Sequence, residues 1–390
     1  MTAGVPAGSV RAGAGGVAVL GAAAPGESVP GEPAPASAGV ATAVPVVRSL
    51  DGRPAADDPG PQPSPSARSG LPARVRDHLE LVRAPAVLTV LGDTVAGASA
   101  AGHPLTGRRA VLPLASACLY AGGMALNDWA DHGVDAVERP ERPIPSGRIA
   151  PRHALTVAGG LGAAGLALAA AGGGRRALAV AVPLAVAVWL YDARLKDTIA
   201  GPAAMAACRG LDVLLGAGVG RLRAAAPAAA AVAAHTAGVT VLSRGEVHGS
   251  TRATAATVAA GSLGVAGAAL AGASVPVEWR LLTDTPRASP AQPSTGKGGR
   301  SAGRGAGWVT WVAIAAYLAQ CVPAQAQAAR TPTAPAARAA TGAGIRAMIP
   351  LQAAWTARAG HPGAALALGA VAAAGALLRR ATGPRAVSET

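Results

Sequence analysis

From residue 84 onward the chain repeats one pattern, an apolar run followed by a short polar break. The runs lie at 84–101, 110–126, 154–171, 177–190, 200–220, 225–242, 253–273 and 307–324, with a ninth at 364–378. A helix crosses the hydrocarbon core of a bilayer in about 20 residues. Inside that core every backbone N–H and C=O must be paired within its own segment, which leaves helices as the spanning element for runs of this length. The pattern therefore predicts an all-α, polytopic transmembrane helical bundle of about eight to nine spans, multi-pass in the cell membrane. Composition agrees, with 51% hydrophobic and only 14% charged residues. Alanine and glycine dominate the spans, and small residues let membrane helices approach closely.

The remaining chain divides around this domain. Residues 1–72 are rich in Pro, Ala and Gly without a sustained apolar period, and predict a disordered tail. Arg11 followed by Val17–Leu20 has the order of a signal peptide, but its apolar run is short and broken by glycine. The transmembrane domain covers 73–380, with a polar loop insert at 278–304, and 381–390 form a C-terminal tail. Residues 325–341 read as a polar, Pro-containing connection, and Gly344–Trp355 as an interfacial or re-entrant helix. The net charge of +14 would suggest nucleic acid in a soluble protein. Here the basic residues are scattered over tail and loops with no aromatic platform for bases, so they read as membrane-flank charges with no nucleic-acid partner. Lys and Arg near the span ends total similarly on the two faces, so loop charge does not set the orientation. Cys118, Cys208 and Cys321 lie in apolar surroundings without metal or disulfide spacing.

Chemistry concentrates after the second span, in Asn127-Asp128-Trp129-Ala130-Asp131-His132-Gly133-Val134-Asp135. Continued as helix, positions 128, 131 and 135 fall within about 60° around the axis. Three carboxylates on one face repel each other, and Asn127 lies four residues before Asp131. The alternatives are a solvated polar turn or a face that binds a hard cation. Oxygen ligands suit Mg²⁺, which takes one or two carboxylates and fills its other positions with water and phosphate. Two further polar loops, 192–198 and 244–251, follow the fourth and sixth spans. Even spacing puts all three on one side of the membrane.

Asp93, Arg209 and Asp212 lie inside apolar runs. Ionisable groups at that depth mark a cavity by default. Arg209 and Asp212 are three apart and either pair with each other or line that cavity. Asp93 has no local partner and is the stronger cavity candidate.

At this point the residues carry a resemblance. Asn127-Asp128-x-x-Asp131-x-x-x-Asp135 resembles the first aspartate-rich motif of the UbiA family of intramembrane prenyltransferases, and Arg139-Pro140-Glu141-Arg142-Pro143-Ile144-Pro145-Ser146-Gly147 resembles the segment that follows it. Tyr191 and Lys196 stand where that family has a tyrosine and a basic residue after the fourth span. Leu195–Gly216 with Ser243–Gly249 resembles the EboC branch. The resemblance covers roughly 75–380 and implies a bundle enclosing a cavity, a polyprenyl diphosphate with its tail in the bilayer, Mg²⁺ at its head, and a lipophilic or aromatic acceptor. It implies that Asn127, Asp128 and Asp131 hold metal with Asp135 in support, and that Arg142 and Lys196 clamp phosphate. Tyr191 and Asp93 would complete the substrate site.

The second acidic motif departs from the family. After the sixth span the chain reads Ser243-Arg244-Gly245-Glu246-Val247-His248, with Glu246 its one acid. In an enzyme Glu246 would serve a second metal, His248 would assist as ligand or base, and Arg244 would replace part of the metal's charge at the phosphate. The alternative is that diphosphate chemistry has been lost. Two classes of function stay open: a Mg²⁺-dependent prenyltransferase, or a non-catalytic membrane protein on the same scaffold that binds or helps export an isoprenoid or secondary metabolite. A cation-coupled transporter is a weaker third, since no inverted repeat is evident beyond a likeness of spans two and six.

Overall fold

The computed structural model describes residues 72–103, 105–271 and 299–382. The tail expected at 1–72, most of the insert at 278–304 and nearly all of the C-terminal tail lie outside the described residues. Within them the chain is helical, with no strand. The elements are α1 (Ala73–Leu81), α2 (Ala84–Ala100), α3 (Leu112–Glu138), α4 (Pro151–Leu190), α5 (Gly201–Ala217), α6 (Leu222–Ser243), α7 (Arg252–Leu270), α8 (Gly299–Arg330), α9 (Ala334–Arg358) and α10 (Pro362–Thr382). Among the described residues five helical segments are long and apolar enough to cross a membrane, or six if the bent pair α1–α2 is one span. The chain is a multi-pass membrane protein.

The expected third and fourth spans share α4. Gly174 breaks that helix with φ +62°, a left-handed conformation that suits glycine. Trp189 Nε1 lies 3.9 Å from where a Cβ on Gly162 would stand. In one straight helix those two residues would be about 40 Å apart. The arms 151–173 and 175–190 therefore fold back on each other as an αα-hairpin, and both expected spans are present.

The stretch 325–358 differs from its sequence reading. Helix α8 continues to Arg330, and α9 begins at Ala334 with Pro335 in its first turn, where proline starts a helix rather than breaking one. Gly344–Trp355 is not interfacial. It is the buried middle of α9, which packs on α2, α6, α7, α8 and α10. Its small side chains allow that central position, and its Arg and Thr content hid it as a span.

Close glycine crossings hold α2 against α5. A Cβ on Gly97 would run into the Val213 carbonyl oxygen, and one on Gly216 into the Thr94 carbonyl oxygen. Backbone cannot turn aside as a side chain can. Gly97→Ala is therefore expected to cost about 1–3 kcal/mol, read as a lowered melting midpoint in detergent. Gly264→Ala, which faces open space, is the control and should melt with the wild type. Equal midpoints for both variants would show that the α2–α5 crossing tolerates separation.

Candidate active site

Helix α3 runs unbroken from the membrane span through the acidic stretch, so the three aspartates do share one helical face. Asp128 and Asp135 are buried, while the Asp131 side chain is 29% exposed. Basic groups from three other segments lie on this face. Arg83 Nη2 stands 3.3 Å from Asp128 Oδ1, and Arg142 Nη1 spans Asp128 at 3.4 Å and Asp135 at 2.6 Å. Lys196 Nζ donates to Asp131 Oδ1 and, at 3.3 Å, to Asn127 Oδ1. Asn127 Nδ2 donates to Asp131 Oδ2 at 3.1 Å.

Each cation arrives for a local reason. Arg83 occupies the bend between α1 and α2 with φ +47°, a left-handed backbone unusual for a non-glycine residue. Helix α1 is itself held down by Arg148, whose guanidinium reaches Asp77 at 2.6 Å and Glu80 at 2.7 Å. Lys196 closes a π-turn, Tyr191–Leu195, through its N–H to the Tyr191 carbonyl at 3.0 Å. Single π-turns recur at functional sites because the extra residue re-aims side chains. Here the turn brings Lys196 to Asp131 and buries Asp192.

Below the acids an apolar cavity of about 50 Å³ opens between α3, α4 and α5. Tyr191 and Asp192 line it, together with Tyr120, Met124, Arg209 and Asp212. The intramembrane charges pair differently from the sequence reading. Arg209 binds Asp93 Oδ2 at 3.0 Å and the Thr89 carbonyl at 2.9 Å, rather than pairing with Asp212. Asp212 accepts from Ser116 Oγ at 2.6 Å. Asp93 is fully buried, takes a second bond of 2.6 Å from Gln352 Nε2, and does not line the cavity. As a substrate contact it is corrected: the crossing of α2, α5 and α9 encloses it as a structural ion pair, and Arg209 and Asp212 take the cavity positions.

The loops after α3, α4 and α6 meet, as span parity requires. Lys196 touches Asp131, Arg244 donates to the Thr198 carbonyl, and Arg139 stands near Glu246. The second motif does not join the acidic face, however. The Glu246 carboxylate lies beside Thr341 and Arg338 of α9, and Arg338 also binds its backbone carbonyl at 2.9 Å. Burial there pushes the Glu246 carboxyl above its ordinary value. The turn after Ser243 sends this residue toward α9, and the exposed Arg244 ties the 195–201 loop in place. His248 is exposed.

Asn127, Asp128, Asp131, Asp135 and Glu246 therefore do not close into one metal cage. Among the described residues no three His, Cys, Asp or Glu side chains converge that tightly. The donor set still fits Mg²⁺ as an open site: oxygen ligands, with Asp192 Oδ1 and Glu246 Oε1 each buried without a partner. Sequence reasoning singled out neither Asp192 nor Arg83 nor Gln352. Asp192 stood next to Tyr191 within a quoted stretch, while Arg83 and Gln352 carried no local signal.

Part of the chain is similar to known proteins. The chain is 40% identical over 148 residues to the digeranylgeranylglyceryl phosphate synthase of Methanopyrus kandleri, covering 38% of this chain and 54% of that one. It is 41% identical over 126 residues to the enzyme of that name from Ignicoccus hospitalis, 32% of this chain and 41% of that one. The protoheme IX farnesyltransferase of Agrobacterium fabrum matches at 41% over 88 residues, 21% of this chain and 27% of that one. The chain thus spans about half or less of the length of these relatives. The model of the UbiA prenyltransferase family matches residues 86–244, which carry α2 through α6 and the 132–150 and 192–198 loops. Through that region the chain is similar to the UbiA prenyltransferase family.

Proposed function

We propose that the chain transfers a prenyl group from a polyprenyl diphosphate to a lipophilic acceptor, with Mg²⁺ at the diphosphate. The observation that carries this reading is the arrangement of Lys196, Arg83 and Arg142 against the acidic face of α3, directly above an apolar cavity. Diphosphate needs positive charge on its oxygens as the bond to the prenyl carbon breaks, and bound Mg²⁺ supplies part of it. Lys196 and Arg142 would turn from carboxylate to phosphate oxygens, a guanidinium engaging them in pairs. Asn127, Asp128 and Asp131 would hold the metal, and Asp135 would keep Arg142 oriented. Tyr191 and the apolar wall would exclude water from the allylic cation, leaving the acceptor to capture it.

The relatives are named for a product built on glyceryl phosphate, which favours an acceptor of that class over an aromatic ring. A second reading rests on Glu246. With that carboxylate turned to α9, the chain would bind an isoprenoid without transferring it. Membranes carrying the full chain can be incubated with labelled geranylgeranyl diphosphate, with and without Mg²⁺, and with prenylated glyceryl phosphate or aromatic acceptors. Mg²⁺-dependent release of diphosphate with the glyceryl phosphate is expected. Binding without release with any acceptor favours the second reading, and no binding removes both.

A further inference from the structure

We propose that Asp192, rather than Glu246, supplies the second carboxylate for the cation at the head of the cavity, acting with Asp131 of α3. The inference rests on the prenyltransferase reading and deepens it, because it replaces the missing second motif with a residue from another loop. The π-turn at Tyr191–Leu195 carries Asp192 inward until it is 1% exposed. Its Oδ1 is buried without a partner, as Glu246 Oε1 also is, although buried carboxylate oxygens are ordinarily bonded; what sets Asp192 apart is where it lies. Asp192 also lines the cavity. The charges acting on it are Lys196, Arg83, Asp131 and Asp128, so it sits in the field of the first motif. Glu246 sits instead among Thr341, Arg338 and Arg139.

Gly123 strengthens the case. It lies one turn before Asn127 on α3, facing the π-turn. A Cβ there would stand 3.1 Å from Asp192 Oδ2 and 2.6 Å from Val188 Cγ1. Glycine at 123 thus leaves the Asp192 carboxylate its place beside the metal face. A carboxylate from the π-turn would add to the oxygen ligands of α3, with phosphate and water filling the remaining positions of Mg²⁺. No closed protein cage is needed, in keeping with the open arrangement of these acids.

The test uses Mn²⁺ as a spectroscopic substitute for Mg²⁺. The detergent-solubilised full chain is mixed with a non-cleavable prenyl thiolodiphosphate, and bound Mn²⁺ is counted by electron paramagnetic resonance. Asp192→Asn is expected to weaken Mn²⁺ binding by about tenfold or more, with Asp192→Glu recovering part of it. Glu246→Gln is expected to bind Mn²⁺ as the wild type does. Wild-type affinity in Asp192→Asn, or a loss in Glu246→Gln as large as in Asp131→Asn, overturns the inference. If Asp192→Asn does not fold, Asp192→Glu takes its place: an Mn²⁺ affinity shifted from the wild type supports the inference, and an unchanged one overturns it. Absence of Mn²⁺ binding in the wild type with the analogue overturns the prenyltransferase reading itself, and the inference with it.

Discussion

Asp131→Asn and Asp128→Asn should each abolish Mg²⁺-dependent binding of a prenyl diphosphate while leaving the protein inserted in the membrane, with turnover falling by about 10²–10³-fold. The two aspartates fail for different reasons. Asp131 is partly exposed, and its partners Lys196 and Asn127 are polar groups that can turn to water. Its loss removes a metal ligand and little packing, and Mg²⁺ gives up water reluctantly to a neutral amide. Asp128 is buried between the guanidiniums of Arg83 and Arg142. An amide there leaves two cations facing one remaining acid, Asp135, so some stability is lost along with the ligand. Equilibrium binding of labelled diphosphate with and without Mg²⁺, corrected for folded fraction, separates the two effects. Unchanged binding and unchanged Mg²⁺ dependence in both variants would remove the metal assignment from α3.

Arg209→Met is expected to destabilise the bundle by about 3–5 kcal/mol, the usual cost of breaking a buried ion pair from one side. The guanidinium joins three elements from its place on α5: it bonds the carboxylate of Asp93 and the carbonyl of Thr89 on α2, and α9 reaches the same two groups through Gln352. Removing it leaves the Asp93 carboxylate enclosed with Gln352 and the neighbouring acid Asp212 and no cation between them. Asp93→Asn combined with Arg209→Met removes both charges and should recover much of the loss, since replacing a whole buried pair is often nearly neutral. Melting midpoints of the two single variants and the double variant in detergent measure the coupling. A midpoint for Arg209→Met equal to the wild type would mean that this pair does not hold α2 to α5.

Much of the architecture was legible because a bilayer leaves few solutions. The apolar runs marked their own helices, and the 3.6-residue period put Asp128, Asp131 and Asp135 on one face, as α3 bears out. Counting spans was enough to bring the loops after α3, α4 and α6 to one side, where Lys196 meets Asp131 and Arg244 meets Thr198. Helix α9 was not legible as a central element. Its burial comes from small residues fitting between five neighbours, and hydropathy measures the side chain rather than the room around it.

What the sequence alone determined is the membrane-spanning helical class, the one-faced acidic motif and the polar loops that share its side, each resting on a local period or on the chain's own length. Which charges pair was decided only by the tertiary structure. Asp93 finds Arg209 across 116 positions in sequence and Gln352 across 259, and no local spacing encodes either contact. The same holds for Glu246, which has the sequence position of a second metal ligand but is carried to Thr341 and Arg338 by one turn after α6. Asp192 needed both levels: its neighbour Tyr191 marked the stretch, but only the π-turn and the space left by Gly123 show that its carboxylate is buried beside the acids of α3. A carboxylate's role depends on what stands within a few ångströms of it, and that is set by helix packing rather than by the residues on either side.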